Sequence, residues 1–207
     1  MPRQFGPAGS DADETVQSLA GKSTSVLLLS DRDAEVCSEL LHPEPVETEN
    51  LLWVLYDDTP DRRLRTWKQQ DGGTPANLGI VSVGDQSRSA AASSDGGTGS
   101  GLIETLAHPE DLTGLGIRID NFLNRWEDAS GRTAVCFDSL TTLLQYVDDS
   151  TAFRFMNVLT TKLYAANAFA HFHMNPGAHD DRTVAKMSSL VDAVVESTDD
   201  GWTVRSR

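Results

Sequence analysis

Arg132-Thr133-Ala134-Val135-Cys136-Phe137-Asp138-Ser139-Leu140-Thr141-Thr142-Leu143-Leu144-Gln145-Tyr146 is the stretch from which the fold can be read. Thr133 to Phe137 is a short, nearly unbroken apolar run, as a strand buried on both faces of a parallel sheet requires, and it stops at Asp138. The spacing after Asp138 is helical, so a carboxylate sits where a buried strand hands over to a helix. In open α/β sheets that edge is where ligands bind, because strand ends and helix N-termini open there into a crevice.

Working outward, strand and helix patterns alternate. Thr24 to Leu29 reads as a strand and Ala34 to Leu41 as its helix; Leu51 to Tyr56 is a second strand, and Pro60 to Gln70 a helix with proline in the first turn, where a missing N–H costs nothing. Asn77 to Val83 and Leu102 to Leu106 read as further strands. Asp111 to Trp126 is an amphipathic helix with Leu115, Ile119, Phe122 and Trp126 on one face. A long helical region, broken around Asp148 to Ser150, follows the central strand and runs through Tyr164. Ala168 to Met174 is then a strand, Asp181 to Val191 a helix opened by His179-Asp180-Asp181, and Ala193 to Ser197 with Trp202 to Arg205 a closing hairpin. The expected class is α/β: a mainly parallel central sheet flanked by helices in three layers, ending in a β-hairpin. Residues 1–23 read as a mobile tail, 24–207 as one domain, and 86–101, built of Ser, Ala, Gly and Asp without a large hydrophobe, as a flexible loop.

Composition limits the functional classes. The 207 residues carry a net charge of −14, Asp outnumbers Glu about two to one, and Arg outnumbers Lys about three to one. This resembles the acidic, lysine-poor surface of proteins from salt-saturated cytoplasm. It argues against unaided nucleic-acid binding, since no basic stripe neutralises phosphates. Residues 1–20 hold no apolar core flanked by basic residues, and no later run is long enough to span a bilayer, so the expected location is the cytoplasm without a membrane. The two cysteines, Cys37 and Cys136, read as small buried hydrophobes rather than a bridge or a metal pair.

The order Val26-Leu27-Leu28-Leu29-Ser30, then Leu52-Trp53-Val54-Leu55-Tyr56-Asp57-Asp58-Thr59-Pro60, then Ala134 to Thr141, then His171-Phe172-His173-Met174-Asn175-Pro176 resembles the RecA/KaiC superfamily of archaeal ATPase domains, and among them the degenerate KaiC-like proteins of haloarchaea. The resemblance covers 24–207 and is most specific at Phe137-Asp138-Ser139-Leu140-Thr141. It implies ATP with magnesium as cofactor: Asp138, with Ser139 beside it, would hold the ion, Asp57 or Asp58 would activate water, and Asn175 would sense the γ-phosphate. The bland readings are a helix-capping pair for Asp57 and Asp58 and a relic cap for Asp138.

Family members carry a glycine-rich phosphate loop after the first strand, whose N–H groups wrap the phosphates. Here the interval is Ser30-Asp31-Arg32-Asp33, with no glycine, no lysine and two carboxylates. Gly21-Lys22-Ser23 imitates the tail of that motif but precedes the strand. His171 and His173 share one face of a strand at metal-ligand spacing; with no cysteine or acidic partner evident beside them, they read as a packed or hydrogen-bonded pair. The expected function is a non-catalytic regulatory or protein-interaction module in signal transduction, without a cofactor, joined to a protein partner or to itself. An ATPase with a non-standard phosphate site is the alternative, and a DNA-repair or recombination accessory the weaker one.

Overall fold

The computed structural model describes residues 19, 22–31, 45–69, 73–84, 102–198 and 201–206. The expected helix at 34–41 with Cys37, the residues Arg32 and Asp33, the segment 1–18 and the whole of 86–101 lie outside the described residues.

The elements in chain order are β1 (Ser25–Leu29), β2 (Asn50–Leu55), α1 (Pro60–Gln69), β3 (Asn77–Val83), β4 (Leu102–Leu106), α2 (Leu112–Arg125), β5 (Thr133–Asp138), α3 (Leu140–Tyr146), α4 (Asp149–Ala165), β6 (Phe169–Met174), α5 (Asp181–Ser188), β7 (Ala193–Thr198) and β8 (Gly201–Ser206). The eight strands make one sheet in the order β4-β3-β2-β5-β6-β1-β7-β8. Every neighbouring pair is parallel except β7 with β8, the C-terminal antiparallel hairpin. The chain steps outward from β2 through β3 to β4 and then returns to lay β5 on the other side of β2. That reversal opens a crevice at the carboxyl ends of the strands.

The central strands are buried on both faces, and their side chains alternate between two cores. One face carries Leu27, Leu52, Val54, Val135, Phe137 and Phe172 against Leu115, Ile119 and Phe122 of α2, Leu140 and Leu143 of α3, Met156, Leu159 and Leu163 of α4, and Met187 of α5. Phe137 is fully buried there, with the rings of Tyr56, Phe172 and Phe155 at 5.7, 5.8 and 6.5 Å. The other face carries Val26, Leu28, Leu51, Trp53, Ile80, Cys136 and Phe169, packed against Trp67 of α1. The Trp53 and Trp67 rings meet edge to face at 5.5 Å.

Polar residues stop and start the helices where their chemistry dictates. Asp148 breaks the long helical region: its carboxylate accepts the N–H groups of Ser150 at 3.0 Å and Thr151 at 2.9 Å, so it ends one helix and caps the next. Asp111 caps α2 through Gly114 N–H at 2.8 Å, and Asp180 caps α5 through Thr183 N–H at 2.7 Å. At the amino-terminal edge of the sheet, Asp192 receives both the N–H and the hydroxyl of Thr24 and of Ser25, which fastens the start of β1 to the entry of β7. Among the described residues no helix is long and apolar enough to cross a membrane.

Candidate functional site

The carboxyl ends of β1, β2, β5 and β6 surround a cavity of about 270 Å³. Ser30 and Asp31 reach it from β1, Asp57 and Asp58 from β2, Asp138 and Ser139 from β5, and His173 and Asn175 from β6. The candidate residues Asp57, Asp58, Asp138, Ser139, Asn175 and His173 are therefore gathered at one place. His171 lies one strand repeat deeper, beneath His173. The volume falls just short of the roughly 300–1,000 Å³ usual for small-molecule sites.

Asp57 and Asp58 leave β2 in different directions. Asp57 accepts the Ser139 hydroxyl at 2.8 Å and the hydroxyl of Thr142, tying the end of β2 to the first turn of α3. Asp58 accepts the N–H of Thr59 at 2.8 Å and stands 3.7 Å from the guanidinium of Arg62, one turn into α1. Thr59, rather than either aspartate, offers its side-chain oxygen to the Arg62 N–H. Ser139 caps α3 through Thr142 N–H at 3.2 Å, and the peptide between Asp138 and Ser139 is cis. Asn175 is held at both ends. Its N–H donates to Thr141 Oγ1 at 2.8 Å, and its side-chain oxygen accepts Gly177 N–H at 2.9 Å in the short 3-10 turn Pro176–Ala178.

Below the cavity floor lies a cluster of charged and polar groups inside the Trp53 face of the sheet. Arg63 of α1 is buried beside Trp67, its guanidinium 5.4 Å from the centre of the Trp53 ring. It stands 3.8 Å from the Asp138 carboxylate and donates to Cys136 Sγ at 3.4 Å. Cys136 Sγ is 3.7 Å from His173 Nε2. Burial pushes the Asp138 carboxyl above the usual carboxylate range, with Cys136 and Asp57 adding to the rise and His173 and Arg63 opposing it. Burial alone would pull the His173 imidazole down; contact with Cys136 and the nearby Asp138 outweigh it and hold the group above its ordinary value.

This cluster corrects the expectation that no cysteine or acidic partner stands beside His171 and His173, whose rings otherwise pack edge to face as a pair at 5.3 Å. Cys136 is buried in the apolar core as expected, and its sulfur also has polar partners in Arg63 and His173. It is the register neighbour of His171 across the β5–β6 ladder, so a cysteine does stand beside the two histidines. One ligand atom from each of Cys136, His171 and His173 lies within 4.8 Å of the others. Asp138, one repeat beyond Cys136 along β5, supplies the acidic neighbour. The local pattern of either strand cannot show this, because it arises only when β5 and β6 pair. Arg63 was also missed. Its signal is the spacing Pro60, Arg63, Trp67, which puts the arginine on the buried face of α1.

The architecture is shared with archaeal proteins of known structure. The chain is similar to the PH0250 protein from Pyrococcus horikoshii OT3, with 12% sequence identity, a TM-score of 0.53, and coverage of 94% of this chain and 91% of that one. It is likewise similar to the uncharacterized protein PH0321 from Pyrococcus horikoshii, solved in complex with an unknown peptide, with 10% identity, a TM-score of 0.53, and coverage of 92% and 87%. At such identities the likeness concerns the fold alone. No curated protein matches the sequence. A family model matches residues 23–197, from the strand-leading Ser23 through β7, and so takes in the whole cavity and the cluster beneath it. The chain therefore belongs to the family of unknown function DUF7504.

Proposed function

We propose that this chain is a non-catalytic module of RecA/KaiC-like ancestry that works by holding another protein, in signal transduction within a halophilic archaeal cytoplasm. The observation that carries the reading is the wall of the strand-end cavity: Asp31, Asp57, Asp58 and Asp138 face the place where this architecture would grip a triphosphate, against Arg62. From Ser30 to Glu49 the sequence contains neither glycine nor lysine, so a backbone cradle with a phosphate-binding lysine has no material here. Asp57 is engaged by Ser139 and Thr142, which fits a brace between strand and helix better than a base awaiting water. The groove between α2 and α4, with Ile117 54% exposed and Val158 55% exposed beside Phe155, gives a partner apolar surface to meet. The peptide held by PH0321 is a property of that protein and a precedent for peptide binding on this fold.

Calorimetric titration with ATP and magnesium in molar potassium chloride tests the reading. No heat of binding is expected, and a micromolar dissociation constant would overturn it. The convergence of Asp57, Asp58, Asp138 and Asn175 on one cavity favours a second reading, an ATPase with a non-standard phosphate site. That reading requires a measurable ATP turnover that Asp138→Asn abolishes, and it fails if the purified chain has none.

A further inference from the structure

A thiol and two imidazoles lie together beneath the cavity floor. Cys136 and His171 are paired across two adjacent strands, and His173 follows on the same face. Strand-borne ligands are held more rigidly than loop-borne ones. A zinc ion with a sulfur ligand at about 2.3 Å and a nitrogen ligand at about 2.05 Å in tetrahedral arrangement sets the two ligand atoms roughly 3.6 Å apart. Cys136 Sγ and His173 Nε2 are 3.7 Å apart. All three ligand atoms fall within 4.8 Å of one another, so side-chain rotations of about 1 Å bring the set to coordinating distance.

The surroundings fit the same assignment. Two imidazoles and a thiol lie beside Arg63 on a face lined by Val26, Leu28, Trp53 and Phe169, where polar groups are costly to bury. A shared cation gives all three a common partner. Arg63 donates to the cysteine sulfur at 3.4 Å, the kind of outer hydrogen bond that supports a metal-bound thiolate. His173 and Asp138 both reach the cavity, so a fourth coordination position opens toward solvent, with a carboxylate beside it. We propose that Cys136, His171 and His173 bind a divalent late transition-metal ion of the zinc class, with its fourth position facing the strand-end cavity next to Asp138. One sulfur and two nitrogens favour such an ion over magnesium or calcium, which take oxygen ligands.

The test uses the full chain, stripped with a chelator and titrated with cobalt(II), whose absorption reports both geometry and sulfur ligation. One equivalent of cobalt is expected to give visible bands of a four-coordinate site and a near-ultraviolet thiolate-to-metal charge-transfer band. Zinc should displace both, and excess magnesium neither. Because the chain has only two cysteines, a charge-transfer band that survives Cys37→Ser comes from Cys136, whether or not Cys136→Ser folds. His171→Gln and His173→Gln should each weaken cobalt binding at least tenfold while circular dichroism stays native. A wild-type chain without the charge-transfer band, a band lost in Cys37→Ser, or a band kept in Cys136→Ser would overturn the proposal.

Discussion

Removing the Asp192 carboxylate should loosen the sheet at the edge opposite the cavity. Asp192 Oδ2 accepts the Thr24 N–H at 2.9 Å, the Thr24 hydroxyl at 2.7 Å, the Ser25 N–H at 3.0 Å and the Ser25 hydroxyl at 3.1 Å. Hydrogen bonds to a charged acceptor contribute about 1.5–3 kcal/mol each when buried, but Thr24 is solvated and water replaces part of what is lost. Counting each at well under 1 kcal/mol gives about 2–3 kcal/mol for Asp192→Ala. For a chain of this length that is a fall in Tm of about 4–12 °C. Burial by itself pushes the Asp192 carboxyl up, and the combined hydrogen bonds from Thr24 and Ser25 outweigh it, leaving the group below its ordinary range. A depressed carboxyl stabilises the fold above its unfolded pKa, about 3.9, and loses that contribution as pH falls through the lower folded value. The gap in Tm between wild type and variant should therefore be widest at pH 7 and shrink toward pH 3. Thermal unfolding followed by circular dichroism in molar salt measures it. A gap under 2 °C at pH 7, or one that stays constant down to pH 3, would refute the reasoning.

Two further substitutions probe packing and turn geometry. A Cβ at Gly79 would lie 2.5 and 2.6 Å from ring carbons of Phe122 and 2.9 Å from Trp126, so Gly79→Ala should cost about 1–3 kcal/mol and lower Tm by several degrees; an unchanged Tm would show that the two rings can yield. Asn167 holds φ at 51° in the turn before β6, so Asn167→Val should cost about 1–2 kcal/mol in chemical denaturation while Asn167→Gly stays near wild type, and equal effects of the two would count against the turn's role.

Much of the architecture was legible because local patterns determine it. Thr133 to Phe137 reads as a buried strand from its apolar run, the helical pattern breaks around Asp148 to Ser150, and the hairpin follows from two short apolar runs around a turn. The gathering of Asp57, Asp58, Asp138 and Asn175 at one edge was legible because each ends a parallel strand or follows one. What escaped depends on contacts between distant parts of the chain. The spacing Pro60, Arg63, Trp67 marks the buried face of α1, but the partners of Arg63 there, Trp53, Cys136 and Asp138, lie on other strands and its own helix does not reveal them. Asp192 looks like an ordinary loop carboxylate until β1, far away in sequence, lies beside β7. Cys136 looked like a small apolar filler because its neighbour in space, His171, is 35 positions later.

The pairing of β5 with β6 makes the chemistry beneath the cavity all-or-none. The turn into β6 is pinned by Ala168 N–H to Leu163 O at 2.9 Å and by Arg132 to Asn167 O at 3.1 Å, and strand side chains change face with every residue. Inserting one amino acid there would put Ala170 and Phe172 in the places of His171 and His173, deleting one would put Phe172 and Met174 there, and either change would turn the two histidines into the opposite apolar core, where burying them is costly. The meeting of Cys136 with His171 is thus tied to the length of the connection into β6, and a chain that keeps the cluster must keep that length.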